Sequence, residues 1–179
     1  MNRPNPNKNR RVLVIDDNPA IHDDFRKILS PAENRDAALS LTETKLFGDP
    51  LNLKKSIRFE VDSAFQGEQG VAMVKKAWEK GLPYAVAFVD MQMPPGWNGV
   101  KTTREVWKVT RQIQIVICTA YSAHSWEELF DIAGHDDRPA VLKKPFDPDK
   151  ALQLAIELTE KWTVFHSRSD TKTLRSRDA

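Results

Sequence analysis

Several features that would point to particular protein classes are rare or missing in the sequence. It contains one cysteine, Cys118, among 179 residues, so it cannot form an internal disulfide or a thiolate metal cluster. It lacks any apolar run near the roughly 18 residues that a membrane-spanning helix needs. No apolar stretch follows the basic start, as one would in a secretory signal peptide. These absences predict a cytoplasmic protein in which Cys118 is a small core residue.

Neither positive nor negative charge predominates in the sequence. Lys and Arg number 27 against 25 Asp and Glu, and 40% of the residues are hydrophobic, as is typical of a soluble globular protein. Residues 1–11 carry +4 and residues 165–179 carry +2, which leaves −4 for residues 12–164. The basic ends lack interleaved aromatic residues and a recognition helix, which argues against nucleic-acid binding. They are predicted to be disordered tails over residues 1–10 and 167–179.

Short apolar runs alternate with amphipathic stretches, a pattern typical of a parallel sheet covered by helices on both faces. The apolar runs predict strands over residues 12–15, 59–65, 84–89, 113–118 and 140–142. A helix is predicted after each strand; Asn18 and Pro19 begin the first, and Asp147 and Pro148 begin the last. The predicted fold class is therefore α/β, with a doubly wound, five-stranded parallel sheet in one domain over residues 11–166.

Apolar residues at helical spacing identify the face that each predicted helix turns toward the sheet. The predicted inward residues are Ile21, Phe25, Ile28 and Leu29 in the first helix, Val71, Val74, Ala77 and Trp78 in the second, Val100, Thr103, Val106 and Trp107 in the third, Trp126, Leu129 and Phe130 in a short fourth helix capped by Ser125 and Glu128, and Leu152, Ala155, Ile156 and Thr159 in the last. The pattern of the last helix fades after Trp162.

One connection between predicted elements is far longer than usual. The first helix ends near Ser30 and the second strand begins near Phe59, so residues 31–58 form an insertion where a few residues normally suffice. Connections from a helix to a strand lie at the N-terminal edge of a parallel sheet, whereas ligands bind at the C-terminal edge. The insertion is therefore expected to lie away from any chemistry. Its apolar residues either pack on the first helix or contact a partner or a second copy: Leu39, Leu41, Leu46 and Phe47.

Polar residues follow four of the five predicted strands, and parallel strands present their C-terminal ends to one crevice. Three crowded carboxylates would raise each other's pKa unless a cation neutralised them. Oxygen ligands suit Mg²⁺, which keeps waters that a phosphate can displace. A hydroxyl and an ammonium can hold further phosphoryl oxygens, and an aspartate can accept a phosphoryl group covalently. The candidate site residues are Asp16 and Asp17 after the first strand, Asp90 after the third, Thr119 after the fourth, and Lys143 or Lys144 after the fifth.

Histidine is not expected to take part in this site. The histidines His22, His124, His135 and His166 are spread over a helix face, two loops and the C-terminal tail, so no histidine metal site is predicted. Of these, only His124 is expected at the C-terminal edge of the sheet, as a solvated loop residue.

Four motifs together resemble the response regulator receiver domain of two-component signalling, over roughly residues 11–165 apart from the insertion: VLVIDDNP, FVDMQMPPGWNG, ICTA and LKKPF. The resemblance implies a flavodoxin-like (βα)5 fold with the strand order 2-1-3-4-5. It also implies a phosphoacceptor module that takes a phosphoryl group from a histidine kinase or phosphotransfer protein and slowly hydrolyses it. Such a module is a phosphorylation substrate rather than an enzyme. Its effector would be another protein or a further part of a longer chain.

The resemblance also implies roles for individual residues. Asp90 would be the phosphoacceptor. Asp17 would bind Mg²⁺ directly beside Asp90 and the backbone carbonyl of Gln92, while Asp16 would act mainly through a bound water. Thr119 would be the switch hydroxyl.

For the lysine, the resemblance selects Lys144, which directly precedes Pro145, and leaves Lys143 as an outward neighbour. It also implies a cis peptide bond before Pro145, which would aim the Lys144 ammonium at the site. Gln92 and Tyr121 would tune how easily water reaches the phosphoryl group. The sequence departs from the family at Val141, where a Tyr or Phe usually turns inward on phosphorylation. Tyr121 or the helix of Trp126 could report phosphorylation instead.

Two rival functions follow from these features. The first is an aspartyl-phosphate hydrolase similar to haloacid-dehalogenase phosphatases. That family needs a second aspartate two residues after the nucleophile, whereas Gln92 stands at that position here. The second rival is a receiver-like domain that binds partners without switching, which Val141 and the insertion favour.

Overall fold

The computed structural model describes residues 9–31, 57–120 and 139–175, with side chains as far as residue 165. Within these ranges the chain forms β1 (Arg11–Ile15), α1 (Pro19–Leu29), β2 (Glu60–Ala64), α2 (Gly67–Glu79), β3 (Val86–Asp90), α3 (Gly99–Val109), β4 (Gln114–Thr119), β5 (Ala140–Lys143) and α4 (Pro148–Arg175). The short helix predicted over residues 125–130 and the apolar residues of the insertion lie outside the described residues.

The five strands form one parallel sheet in the order β2-β1-β3-β4-β5, which confirms the predicted fold and topology. Ile15 at the end of β1 is level with Val89 in β3, and Thr119 at the end of β4 is level with Lys143 in β5. The register therefore brings the residues that follow β1, β3, β4 and β5 to the same edge of the sheet.

Both faces of the sheet are buried, because successive strand residues point to opposite sides. Leu13, Ile15 and Ile117 pack on the face covered by α2 and α3, and Val14 and Val116 pack on the face covered by α1 and α4. Continuous apolar runs in the central strands follow from this two-sided burial.

Asparagine caps begin two of the helices. The Asn18 side chain accepts a hydrogen bond from the Ala20 backbone at 3.0 Å, directly before Pro19 at the first helical position, as predicted. The Asn98 side chain accepts one from the Lys101 backbone at 2.8 Å and so begins α3. Both asparagines end the loops that follow β1 and β3, so their hydrogen bonds also restrain the backbone at the end of each loop.

The buried stripes of α1 and α2 differ from the predicted ones. His22 is buried with Phe25 and Leu29 on α1, whereas Ile21 and Ile28 are only half-buried. These three residues have the spacing i, i+3 and i+7, so the stripe is centred one position away from the isoleucines. On α2, Trp78 was predicted to face inward and is instead 40% exposed, because it lies at the margin of the stripe that Gly70, Val74 and Ala77 form.

Helix α4 extends to Arg175, whereas the sequence predicts a disordered tail from residue 167. Once the packed part of a helix is formed, each further residue adds a hydrogen bond without a new nucleation step, so a polar segment can continue it. The predicted inward position of Thr159 is confirmed, since its hydroxyl is buried and donates to the Ala155 carbonyl at 2.7 Å. Neither α4 nor any other helix in the described ranges is long and apolar enough to span a bilayer.

Candidate functional site

Three carboxylates meet at the C-terminal edge of the sheet. Asp16 and Asp17 follow β1, Asp90 ends β3, and one oxygen from each lies within 4.8 Å of the other two. Asp16 and Asp90 are buried and Asp17 is half-exposed. The structure thus brings together the three aspartates that the sequence singled out, while the role of each stays a prediction.

Lys144 connects two of these carboxylates. Its Nζ lies 2.6 Å from Asp16 Oδ2 and 3.0 Å from Asp90 Oδ1, and its side chain is 19% exposed. The backbone N–H of Lys144 donates to the Thr119 carbonyl at 2.7 Å, which prolongs the pairing of β4 and β5 beyond the strands. The Lys144–Pro145 peptide is cis, as the resemblance implies, and Lys143 is exposed. The structure therefore distinguishes the two lysines that the strand pattern alone left open.

The cluster contains more negative charge than Lys144 can balance. Burial raises the pKa of Asp90 above its ordinary value, and the nearby charge of Asp16 adds to this, although the hydrogen bond from Lys144 opposes it. Burial lowers the pKa of Lys144, but its hydrogen bonds to Asp16 and Asp90 outweigh burial, so the pKa is raised overall. A charged ammonium therefore contacts two of the three carboxylates, and the surplus negative charge of the cluster favours a bound cation.

Thr119 lies at the end of β4 and is 4% exposed, at the edge where the carboxylates meet. Gln92 follows Asp90 by two residues and its side chain is exposed, while the role predicted for its backbone carbonyl stays a prediction. Tyr121 and His124 lie outside the described residues. The structure thus places the predicted hydroxyl at the site edge and leaves the tuning positions as expectations.

The loop after Asp90 is held by backbone contacts that the sequence analysis did not identify. The Met91 N–H donates to the Cys118 carbonyl at 2.9 Å, and the Gly99 N–H donates to the Met91 carbonyl at 2.9 Å. A β-carbon on Gly99 would lie 2.5 Å from the Asp90 carbonyl oxygen, closer than real contacts allow. Gly99 therefore lets the start of α3 lie directly against the backbone of Asp90. The only indication of this contact in the sequence is the glycine that ends the MPPGWNG motif.

A model of the response regulator receiver domain matches residues 44–156 of this chain. The matched range begins inside the insertion and does not include Asp16 or Asp17. The place of these two aspartates in the site therefore rests on the geometry of the sheet.

Solved receiver domains have a similar fold. The chain resembles a CheY-like response regulator receiver domain protein from Methanospirillum hungatei, with a TM-score of 0.59 and 18% identity over 86% of this chain and 95% of that one. It also resembles the receiver domain of the Francisella response regulator 1452, with a TM-score of 0.54 and 21% identity over 86% and 98% of the two chains. A chain of the CheX-CheY-BeF3-Mg²⁺ complex from Borrelia burgdorferi matches with a TM-score of 0.56 and 14% identity over 83% and 87%.

These likenesses show the fold, and the family model covers more than half of the chain. Receiver domains are signalling modules that interact with histidine kinases or phosphotransfer proteins, and they bind Mg²⁺ in an acidic pocket. The chain belongs to the response regulator receiver domain family of two-component signalling.

Proposed function

We propose that this protein accepts a phosphoryl group on Asp90 from a phosphohistidine of a kinase or phosphotransfer protein. The main support for this proposal is that the Lys144 ammonium contacts both Asp16, at 2.6 Å, and Asp90, at 3.0 Å. Among the aspartates at this edge, Asp90 ends a central strand and contacts Lys144 while its backbone is held by the loop that follows. Its carboxylate is therefore fixed in position at the edge of the sheet.

In the proposed transfer, an oxygen of the Asp90 carboxylate forms a bond to phosphorus as the bond from phosphorus to the donor imidazole breaks. The electron pair of the broken bond stays on the imidazole nitrogen. The Lys144 ammonium, already hydrogen-bonded to Asp90, is within reach of a phosphoryl oxygen attached there and offsets its charge. The Thr119 hydroxyl is proposed to donate to another phosphoryl oxygen. Both groups stabilise charge that is spread over the phosphoryl oxygens during transfer.

The three carboxylates fit a hard divalent cation, because they supply oxygen donors and more negative charge than Lys144 balances. Asp17, Asp90 and the Gln92 carbonyl are proposed to hold Mg²⁺ directly. Both oxygens of Asp16 already accept hydrogen bonds, from Asn18 and Lys144, which supports a contact through water. When bound, Mg²⁺ would neutralise phosphoryl charge at the site. The similar Borrelia complex contains Mg²⁺ and BeF3, and we propose the same ion here.

The proposed setting is the cytoplasm, where a kinase or phosphotransfer protein delivers the phosphoryl group and an effector protein receives the output. The proposed organisation is a receiver domain over residues 11–166 that contains the insertion 31–58. Neither nucleic acid nor a membrane is a proposed partner. The only catalysis proposed is the transfer to Asp90 and the slow hydrolysis of the product.

A second function, partner binding without a phosphorylation switch, is favoured by Val141. This residue is half-buried in β5 opposite Ile117 and has no aromatic ring to reorient. Amide chemical shifts with and without beryllofluoride separate the two functions. Changes that spread to β5 and α4 support a switch, whereas changes confined to the aspartate cluster support the second function.

The test of the proposed function is labelling with acetyl phosphate and Mg²⁺, followed by intact mass spectrometry. The parent protein should gain the mass of one phosphoryl group, and the Asp90→Asn variant should gain none. Asp24→Asn is the matched control, because Asp24 is an exposed aspartate on α1 and its variant should label like the parent. Labelling that persists in Asp90→Asn would show that the acceptor is another residue.

A further inference from the structure

His22 is a buried polar residue for which the proposed transfer has no role. Its side chain is 1% exposed on the inner face of α1, and its Nε2 lies 2.8 Å from the backbone carbonyl oxygen of Asp16. A carbonyl oxygen can only accept a hydrogen bond, so Nε2 carries the proton and donates it. Within the described part of the chain, the buried Nδ1 has no hydrogen-bond partner. The contact with Asp16 is therefore the polar interaction that accounts for a histidine at this position.

The carbonyl that His22 contacts belongs to the peptide group joining Asp16 to Asp17. Because a peptide group is planar, a hydrogen bond to its oxygen restrains the orientation of the whole unit. That orientation determines where the backbone of Asp17 begins, and hence where its carboxylate can reach. The hydrogen bond from His22 therefore restrains the peptide group to which the Asp17 nitrogen belongs.

Every polar atom of Asp16 has a partner, and the partners come from different parts of the fold. The Asp16 N–H donates to the Ala64 carbonyl at 3.1 Å, its carbonyl accepts from His22 at 2.8 Å, its Oδ1 accepts from the Asn18 N–H at 3.0 Å, and its Oδ2 accepts from Lys144 at 2.6 Å. The His22 bond is the one that ties this turn to the body of α1. Loss of this hydrogen bond would leave the Asp16 carbonyl buried without a donor, which costs free energy. Rotation of the peptide group would avoid that cost but would change the orientation of the turn.

Phe65, directly after β2, packs against the His22 ring. Its ring centroid lies 4.5 Å from that of His22 at an interplanar angle of 53°, and the Phe65 side chain stays 41% exposed at this edge of the sheet. Because His22 is almost fully buried, its hydrogen bond lies in a lower local dielectric than one at the surface and is stronger. A strong hydrogen bond from α1 therefore supports the acidic turn.

We propose that His22 is a positioning residue that orients the Asp16–Asp17 peptide so that Asp17 can bind a divalent cation. This inference rests on the proposed function, since it assumes that the aspartate cluster binds Mg²⁺. Groups that orient metal ligands typically change affinity by tenfold or more when they are removed, so an effect of about tenfold is expected here.

The test compares His22→Leu, which keeps an apolar side chain but loses the donor, with His22→Gln, which keeps an N–H donor at a similar reach. Mg²⁺ alone is titrated into each ¹⁵N-labelled protein, and its Kd is measured from amide chemical shifts. We expect His22→Leu to raise the Kd by about tenfold and His22→Gln to restore most of the affinity. Urea denaturation without metal measures any general loss of stability separately, and a purely structural role would not separate the two variants in Kd.

Equal Kd values for His22→Leu and the parent would overturn the inference, and so would a His22→Gln variant that folds yet binds as weakly as His22→Leu. If His22→Leu does not fold, the imidazole ¹⁵N chemical shifts of the parent test the inference. A proton on Nδ1 instead of Nε2 would contradict the hydrogen bond from Nε2 to the Asp16 carbonyl and overturn it. A parent protein that does not bind Mg²⁺ would overturn the proposed metal site together with this inference. If the parent binds Mg²⁺ and the His22 substitutions leave the Kd unchanged, only this inference is overturned and the proposed metal site stands.

Discussion

Charged clusters lie at both edges of the sheet, and they differ in how much water reaches them. At the start of β1, the Arg11 guanidinium lies 3.0 Å from Asp62 and 3.6 Å from Glu60 and stacks over the Tyr84 ring at 4.4 Å. The two acidic side chains there are 45% and 79% exposed. Water can therefore solvate the surplus negative charge of this cluster.

At the opposite edge, the acidic side chains that contact Lys144 are almost dry: that of Asp16 is 3% exposed and that of Asp90 is 12% exposed. Burial there raises the pKa of Asp90, because the charged form has lost water that one ammonium does not replace. An ion pair alone therefore does not mark a functional site. What distinguishes the C-terminal edge is negative charge that is both buried and in excess.

Tyr84 supplies a further hydrogen-bond donor to the exposed cluster, beside the Arg11 guanidinium. Its hydroxyl donates to Asp62 at 2.7 Å, and burial together with this bond raises the pKa of Tyr84 far above its ordinary value. The hydroxyl therefore stays protonated and remains a donor to Asp62. A stable structural contact is the expected result at this edge.

The largest effect that separates the two clusters is expected when each loses its basic residue. Lys144→Met leaves two buried carboxylates without their partner and should lower the free energy of unfolding by about 3 kcal/mol. Arg11→Met removes a partly exposed contact and should lower it by about 1 kcal/mol. Urea denaturation at pH 7 without metal measures both. Millimolar Mg²⁺ should recover part of the loss in Lys144→Met and none of the loss in Arg11→Met, and equal behaviour of the two variants would contradict the comparison.

A smaller difference is expected within the acidic cluster itself. Asp17→Asn removes the proposed direct metal ligand and should weaken Mg²⁺ binding by about tenfold, which corresponds to about 1.4 kcal/mol. Asp16→Asn changes a residue whose oxygens already accept from Asn18 and Lys144, so it should weaken binding less. Amide shift titrations with Mg²⁺ give both affinities. The same Mg²⁺ affinity in Asp17→Asn and the parent would rule out the proposed geometry.

The smallest effect concerns the stability cost of the charge on Asp90. Because the pKa of Asp90 in the folded protein lies above its ordinary value of 3.8, the folded state holds this proton more tightly than the unfolded state. The free energy of unfolding therefore falls as pH rises from that value through the folded pKa. Asp90→Asn escapes this loss and should be more stable than the parent by about 1 kcal/mol at pH 7.

The check is urea denaturation of both proteins at pH 7 and at pH 4, with a chelator present. The advantage of Asp90→Asn should shrink at pH 4, where the parent is partly protonated at Asp90. An advantage that is larger at pH 4 than at pH 7 would contradict the raised pKa.

The sequence was sufficient to predict the sheet and the positions of the aspartates, because both depend on local pattern. Strands buried on two faces must be apolar throughout, and the polar residues that follow them then fall at one edge. On α3 the predicted inward residues Thr103, Val106 and Trp107 are all buried. The separation of Lys144 from Lys143 needed the family resemblance, since both follow the same strand.

The features that the sequence did not predict depend on contacts between distant segments, and hydrophobic periodicity does not reveal such contacts. His22 was expected on a helix face and outside any metal site, and spacing did not reveal that it is buried against the Asp16 carbonyl and the Phe65 ring. Trp78 has the hydropathy of a core residue and is nevertheless 40% exposed at the margin of its helix stripe. Spacing alone placed Ile21 inward, and it does pack against the core, but His22 beside it is the more deeply buried residue.

The contact between Gly99 and the backbone of Asp90 determines how this site can vary among related sequences. Gly99 supplies no charge, no metal ligand and no proton, and yet a single methyl group there would lie 2.5 Å from the Asp90 carbonyl oxygen. A scan of all substitutions would therefore find this position nearly as intolerant as Asp90, the proposed acceptor. Intolerance at residue 99 would reflect missing space, and a catalytic role assigned to it on that ground would be a mistake.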